Sequence, residues 1–156
     1  MALALAKGMV DQQMVSADQV TGTDPFLEAR KAFETAVGCQ TVDDPANVLT
    51  DADVIFIAVK PDKVEEVLVS LNPHLSSSHL VISIAAGVPL ATFEDNLLSG
   101  AKVIRVMPNT PAMVGAAAAG YSLGHHATSD DGKLTETLLS AVGIAVQVPW
   151  PLNRQP

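Results

Sequence analysis

Hydrophobic positions along this chain follow two rhythms. Val54 to Val59 is an unbroken apolar run rich in β-branched residues, which predicts a strand covered on both faces, as in a parallel sheet. Directly after it, in KVEEVLVSL, Val64, Val67, Leu68 and Leu71 fall at i, i+3, i+4 and i+7. That spacing predicts an amphipathic helix, and Pro73 stops it. HLVISIA and KVIRVM predict two more strands, and PLATFEDNLL between them a short helix with Pro89 in its first turn.

The flanks repeat the alternation. QVTGT reads as a strand, and DPFLEARKAFETA as a helix with Asp24 as N-cap and Pro25 as its first residue. DDPANVLT carries the same Asp–Pro signal for a turn or two. In TSDDGKLTETLLSAV, Thr128 stands three residues before Asp131, a capping-box pattern, with Leu134, Leu138 and Val142 on one side. IAVQV reads as a last short strand. The opening MALALAKGMV predicts a buried helix with no Ser, Thr, Asp or Asn ahead of it to cap its first turn. Strands alternating with helices imply βαβ units and a doubly wound, mostly parallel α/β sheet with right-handed crossovers. PWPLNRQP holds three prolines in eight residues and reads as an extended tail over 149–156.

Composition narrows the class. With 48% hydrophobic and 17% charged residues among 156, the chain is globular and forms one domain. A net charge of −8 with no Lys/Arg cluster argues against nucleic acid and anionic membrane as partners. Cys39 is the single cysteine, so no intrachain disulfide forms and a reducing compartment is expected. No apolar run approaches a membrane span, and Lys7 interrupts the opening stretch before it resembles a signal peptide. The expected location is cytoplasmic.

Two motifs invite chemistry and are set aside. GYSLG, Gly120 to Gly124, matches the G-x-S-x-G elbow of hydrolases, yet that motif needs a helix at once and a His after its acid. Here His125 and His126 precede Asp130 and Asp131, and no His follows. Adjacent histidines diverge, whereas metal ligands converge from spacings such as i, i+4, so these two read as surface groups and no metal is expected.

Open α/β sheets bind ligands beyond the carboxyl ends of their strands. The loops there read TDP, AVKP, AAGVP and MPNTPAMVG. Ala58, Ala85, Ala86 and Gly87 are small enough to let a flat or phosphorylated ligand approach the backbone. Lys60 places an ammonium at a strand end, and Asn109 and Thr110 sit on a loop stiffened by Pro108 and Pro111. Asp24 has two candidate roles: N-cap, or acceptor for the adenosine ribose hydroxyls of a dinucleotide.

Taken in order, ALALAKGMV, ADVIFIAVKP, VISIAAGV and VIRVMPNTPAMVGAAAAGYSLG closely resemble the N-terminal, cofactor-binding domain of pyrroline-5-carboxylate reductase, over Met1 to about Val148. The resemblance implies a partial dinucleotide-binding domain over 1–148 and an oxidoreductase of proline synthesis that uses NADPH or NADH. It places Ala58, Val59, Lys60, Pro61, Ile84, Ala85 and Ala86 along the cofactor, with Asn109 and Thr110 under the nicotinamide. Asp24 stands beside the position of the 2′-phosphate, and Pro45 near a position often held by Asn close to the adenine. In the family a first strand and glycine-rich turn precede the opening helix, and a helical domain that makes the dimer and holds the imino acid follows the last strand. Neither has a counterpart in this sequence, so no catalytic residue is assigned and little or no turnover is expected of the chain alone. The alternatives are a non-catalytic module that associates with complete reductase subunits, or a different dehydrogenase sharing the cofactor domain.

Overall fold

A computed structural model describes residues 1–149; from Trp150 onward the expected tail lies outside the described residues. In chain order the elements are α1 (Ala2–Asp11), β1 (Thr21–Thr23), α2 (Leu27–Val37), β2 (Gln40–Val42), β3 (Val54–Ile57) and α3 (Val64–Leu71). They continue with β4 (Leu80–Ser83), α4 (Leu90–Asn96), β5 (Lys102–Met107), β6 (Ala117–Leu123), α5 (Ser129–Leu139) and β7 (Gly143–Gln147). β1 and β2 form a parallel pair of their own, and the other strands form one sheet in the order β3-β4-β5-β6-β7. β3, β4 and β5 run parallel, β6 runs antiparallel to β5, and β7 is parallel to β6.

Side-chain alternation along the strands builds two core layers. Leu80, Ile82, Ile104 and Val106 face Leu5 and Met9 of α1 and Leu139 of α5. Val81 and Val103 point the other way, onto Val64, Leu68 and Leu71 of α3 and Leu90 and Phe93 of α4. Helices thus cover both faces, which is the Rossmann-like, doubly wound arrangement expected. α1 also sends Ala6 into a third cluster with Val37 of α2 and Cys39, so this one helix packs both on the larger sheet and on α2. Its first turn has no side-chain cap.

The strand at Val54 is less covered than its composition predicts. All four residues of β4 are buried, whereas in β3 only Ile57 is. β3 is an outer strand of the five, so among the described residues one of its edges has no neighbouring strand to shield it. β2 and β6 were not foreseen: QTV is too short to show a period, and AAAGYSL is too rich in small residues to read as a strand. Ser122 of the set-aside GYSLG motif lies inside β6, its hydroxyl donating to the Val148 carbonyl at 3.1 Å. A strand, rather than a turn into a helix, surrounds it.

Two helix expectations shift. α2 starts at Leu27 rather than Pro25, because Asp24 Oδ1 accepts the Phe26 N–H at 2.8 Å and closes a turn before the helix. Asp24 is therefore not the N-cap; Phe26 is. In α5 the Thr128–Asp131 capping box forms as expected, but the buried residues are Gly132, Thr135 and Leu139, while Leu134 is 42% exposed. Tyr121 and Leu123 crowd Gly132, whose lack of a side chain lets helix and sheet approach on that face.

Burial alone would raise the Asp131 carboxyl, but the Thr128 N–H at 2.8 Å, the Thr128 hydroxyl at 2.7 Å and the Lys102 ammonium at 3.4 Å hold it below its ordinary value. A depressed carboxyl stabilises the fold above its unfolded pKa and loses that contribution as pH falls through the folded pKa. Asp131→Asn should therefore cost about 1 kcal/mol at neutral pH, the usual scale of a lost cap. Thermal melts should show that deficit shrinking only as pH falls below the ordinary carboxyl value and on through the lower folded one, where the wild-type carboxylate finally takes up its proton.

Among the described residues no helix is long and apolar enough to cross a membrane.

Candidate functional site

Three parallel strands deliver three loops to one edge of the larger sheet. Ala58 to Pro61 leave β3, Ile84 to Val88 leave β4, and Pro108 to Gly115 leave β5. β6 runs back from that edge, so its first residue, Ala117, lies there opposite Gly143.

The β4 loop is the floor. The Ile84 N–H donates to the Ile57 carbonyl at 3.0 Å, carrying the ladder one residue past the strand, and the Ala85 N–H reaches Ser83 Oγ at 3.3 Å. Ile84 and Ala85 are buried, while Ala86 and Gly87 are exposed. Gly87 turns the chain at φ +76°, and a Cβ there would meet nothing within 4 Å, so the surface above it is open. Arg105 Nε donates to the Val88 carbonyl at 2.6 Å, which fixes the far end of the loop from below. Burial pulls that guanidinium below its ordinary pKa.

On the β3 loop Ala58 is exposed and Val59 half-buried, and Lys60 and Pro61 face solvent. The Lys60 carbonyl accepts the Lys63 N–H at 2.9 Å, so a single 3₁₀ turn begins here. Lys63 pairs with Glu66 at 2.9 Å. Lys60 takes no carboxylate partner among the described residues, which leaves its ammonium available to an anion.

The β5 loop is a 3₁₀ segment, Thr110–Val114, closed by Gly115 at φ +72°. Asn109 Oδ1 accepts the Ala118 N–H at 3.0 Å, strapping the segment to β6. Half of the Asn109 amide is thereby structural, and only its NH₂ is left for a ligand. Thr110 is exposed, as are Met113 and Val114 beyond it.

The structure thus brings Ala58, Val59, Lys60, Pro61, Ile84, Ala85, Ala86, Asn109 and Thr110 to one sheet edge. Asp24 stands apart, at the end of β1 on the two-stranded sheet, with Pro45 beyond the end of neighbouring β2. Sequence reading missed the support Arg105 gives the loop. The available signal was its position two residues after Val103 in KVIRVM, on the same inward face.

A cleft of ≈ 300 Å³ lies at the opposite end of the sheet, lined by Glu94, Leu97, Leu98, His125 and His126. There the His125 N–H donates to Glu94 Oε1 at 2.7 Å, and the His125 side chain is 83% exposed. Its lining does not combine an open ammonium with small residues over a buried floor as the loops do, so the functional site is assigned to the loops.

Small residues over a buried floor, an open ammonium and hydroxyl, and helices on both faces of a parallel sheet define a nucleotide-binding α/β domain of the doubly wound class. Comparison with known proteins makes this specific: residues 1–87 match the family described as NADP oxidoreductase, coenzyme F420-dependent, and the chain belongs to that family. A pyrroline-5-carboxylate reductase of Methanosarcina acetivorans is 41% identical over 152 residues, which cover 97% of this chain and 56% of that protein. The solved pyrroline-5-carboxylate reductase of Coxiella burnetii superposes with a TM-score of 0.89 at 29% identity, over 95% of this chain and 55% of that one. The Plasmodium falciparum pyrroline carboxylate reductase, solved with NADP bound, gives 0.82 at 28% identity, over 94% and 53%. The resemblance carried by AVKP, AAGV and MPNTPAMVG is therefore borne out. The chain spans about half the length of the curated relatives it matches.

Proposed function

We propose that residues 1–148 form the nucleotide-binding half of a pyrroline-5-carboxylate reductase, holding NADPH or NADH across Ala58–Pro61, Ile84–Ala86, Asn109 and Thr110. The observation that carries this reading is the convergence of three loops on one edge, where Lys60 has no carboxylate partner among the described residues and the β4 loop supplies a floor of small residues. The NADP-bound structure of a relative supports the choice of ligand. Buried Ile84 and Ala85 offer an apolar, water-poor floor. Lys60 meets the negative charge of the pyrophosphate, and Thr110 and the Asn109 NH₂ are the polar groups on the third loop. Held by these residues, a reduced nicotinamide would supply the hydride chemistry for reducing the imine of 1-pyrroline-5-carboxylate, with one proton taken up, to proline. No residue described here is assigned to that protonation or to the imino acid. Holding both reactants in register is worth many orders of magnitude in effective concentration.

The test is to titrate the purified chain with reduced cofactor and then add 1-pyrroline-5-carboxylate. Saturable binding with little or no oxidation of the cofactor is expected. Absence of binding overturns the reading, and ready imine reduction overturns the assignment of only half a site. Lys60→Glu reverses the charge at this edge and should weaken binding about tenfold or more, since charge-assisted contacts to phosphate are among the strong ones.

A second reading, association with complete reductase subunits, is favoured by one feature. Val114, Ile144 and Val146 are 81%, 66% and 58% exposed, large values for apolar side chains flanking the loop edge and on β7. Co-purification with a full-length subunit tests it, and a chain that stays monomeric in that mixture contradicts it.

A further inference from the structure

We infer that β7 is a docking edge for a second copy of this chain, which pairs with it antiparallel across a two-fold axis at Ala145. β7 is the outer strand at the opposite end of the sheet from β3. The Ala117 N–H donates to the Val142 carbonyl, and the Val148 N–H to the Tyr121 carbonyl, each at 2.8 Å. Bonding residues alternate along a parallel ladder, so between these two bonds Ile144 and Val146 also turn their backbone groups to β6. Gly143, Ala145 and Gln147 turn theirs outward, where the described residues supply no further strand.

The outward edge is complementary to its own two-fold image. With Ala145 opposite Ala145 of the second copy, Gly143 falls opposite Gln147, and each outward N–H meets an outward carbonyl. Donors and acceptors thus match in charge along the whole edge, as a self-complementary interface requires. The same register sets Ile144 against Val146 of the second copy, twice, in the non-hydrogen-bonded pairs whose side chains approach most closely. A slip of one residue would set an outward group against an inward one, so the register is fixed.

The side chains suit that partner. Ile144 and Val146 are 66% and 58% exposed. The core beneath α3 and α4 draws on β3, β4 and β5 and on no residue of β6 or β7, so among the described residues no helix covers this face. Ala118 and Gly120, their register partners on β6, are too small to shield them. Protected edges carry Lys or Pro, whereas GIAVQ holds neither and no charge at all. The net charge of −8 on each copy therefore opposes pairing from a distance and is screened by salt. Four apolar side chains and two short edges bury on the order of several hundred Å², under the roughly 1,200–2,000 Å² of stable complexes. The dimer is accordingly weak and forms with rising concentration.

The experiment is sedimentation velocity of the whole chain without cofactor, from about 5 μM to about 1 mM in about 0.15 M salt. The mass should climb from 16.2 kDa toward twice that value. Ile144→Lys with Val146→Lys sets like charges opposite each other in both pairs and should weaken association at least about tenfold. Ile144→Lys with Val146→Glu sets opposite charges there and should recover most of it. Both positions are exposed, and thermal melts verify that the variants fold. Amide exchange at high concentration should slow at Ala145 and Gln147 but not at Ile144 and Val146, whose N–H groups already bond to β6. A monomer throughout the range, or a dimer that the two double variants affect alike, overturns the inference. The cofactor reading is untouched by either result, because no cofactor enters the measurement.

Discussion

Gly143→Ala should lower the melting temperature by roughly 8–16 °C. Gly143 opens β7 at φ +153°, and an added Cβ would lie 2.2 Å from the Ala117 carbonyl oxygen and 2.4 Å from its nitrogen. These are backbone atoms that cannot swing aside. The Ala117 N–H is itself bonded to the Val142 carbonyl at 2.8 Å, and Ala117 is the register partner of Gly143. Relief requires the start of β7 to move off β6. Forced packing and backbone strain of this kind each cost about 1–3 kcal/mol, so about 4 kcal/mol together is reasonable. For a chain of this length each kcal/mol corresponds to about 2–4 °C. Gly87→Ala is the control: its φ is also positive, but its Cβ would meet nothing within 4 Å. It should cost only about 1 kcal/mol by circular-dichroism melts. Equal melting of the two variants would contradict the account of the β6–β7 contact.

Arg105→Met should damage both stability and the site. The thioether fills much of the space of the arginine stem but cannot donate to Val88. The lost bond is short and charged, at 2.6 Å, and its acceptor belongs to a buried residue. A hydrogen bond from a charged donor is worth about 1.5–3 kcal/mol, and an orphaned carbonyl costs on that scale. The second consequence is local. Val88 ends the loop that carries Ile84, Ala85 and Ala86, so freeing its carbonyl loosens the floor on which the cofactor is proposed to lie. Amide hydrogen exchange should quicken at Ala85 to Val88 more than in α5, and NADH affinity should fall about tenfold. Unchanged exchange in this loop would mean that Arg105 acts only as packing.

How legible each part was follows from where its signal resides. The Val54 and Lys102 strands were readable as short apolar runs rich in β-branched residues, the Val64 helix because its apolar positions repeat at the helical period, and Thr128 and Asp131 because a cap is local chemistry. β2 and β6 left no such pattern. A three-residue strand has no period to measure, and Ala117–Ala119 is apolar on both faces. The start of α2 was misplaced because Asp24 and Pro25 satisfy helix and turn rules equally, and the bond to Phe26 decides in favour of the turn. The loop edge was readable once the strands were ordered, since parallel strands must release their loops on one side. The clamp from Arg105 to Val88 was hidden because it joins residues 17 apart that only the fold brings together.

The most direct test of the central claim is a two-dimensional amide spectrum of the chain titrated with NADH. If the loops of β3, β4 and β5 hold the cofactor, the largest shifts will fall at Ala58 to Lys60, Ile84 to Gly87 and Asn109 to Thr110, with Leu98 to Ala101 and His125 unmoved. Shifts centred on His125 and the cleft beside Glu94, or none at millimolar cofactor, would contradict it.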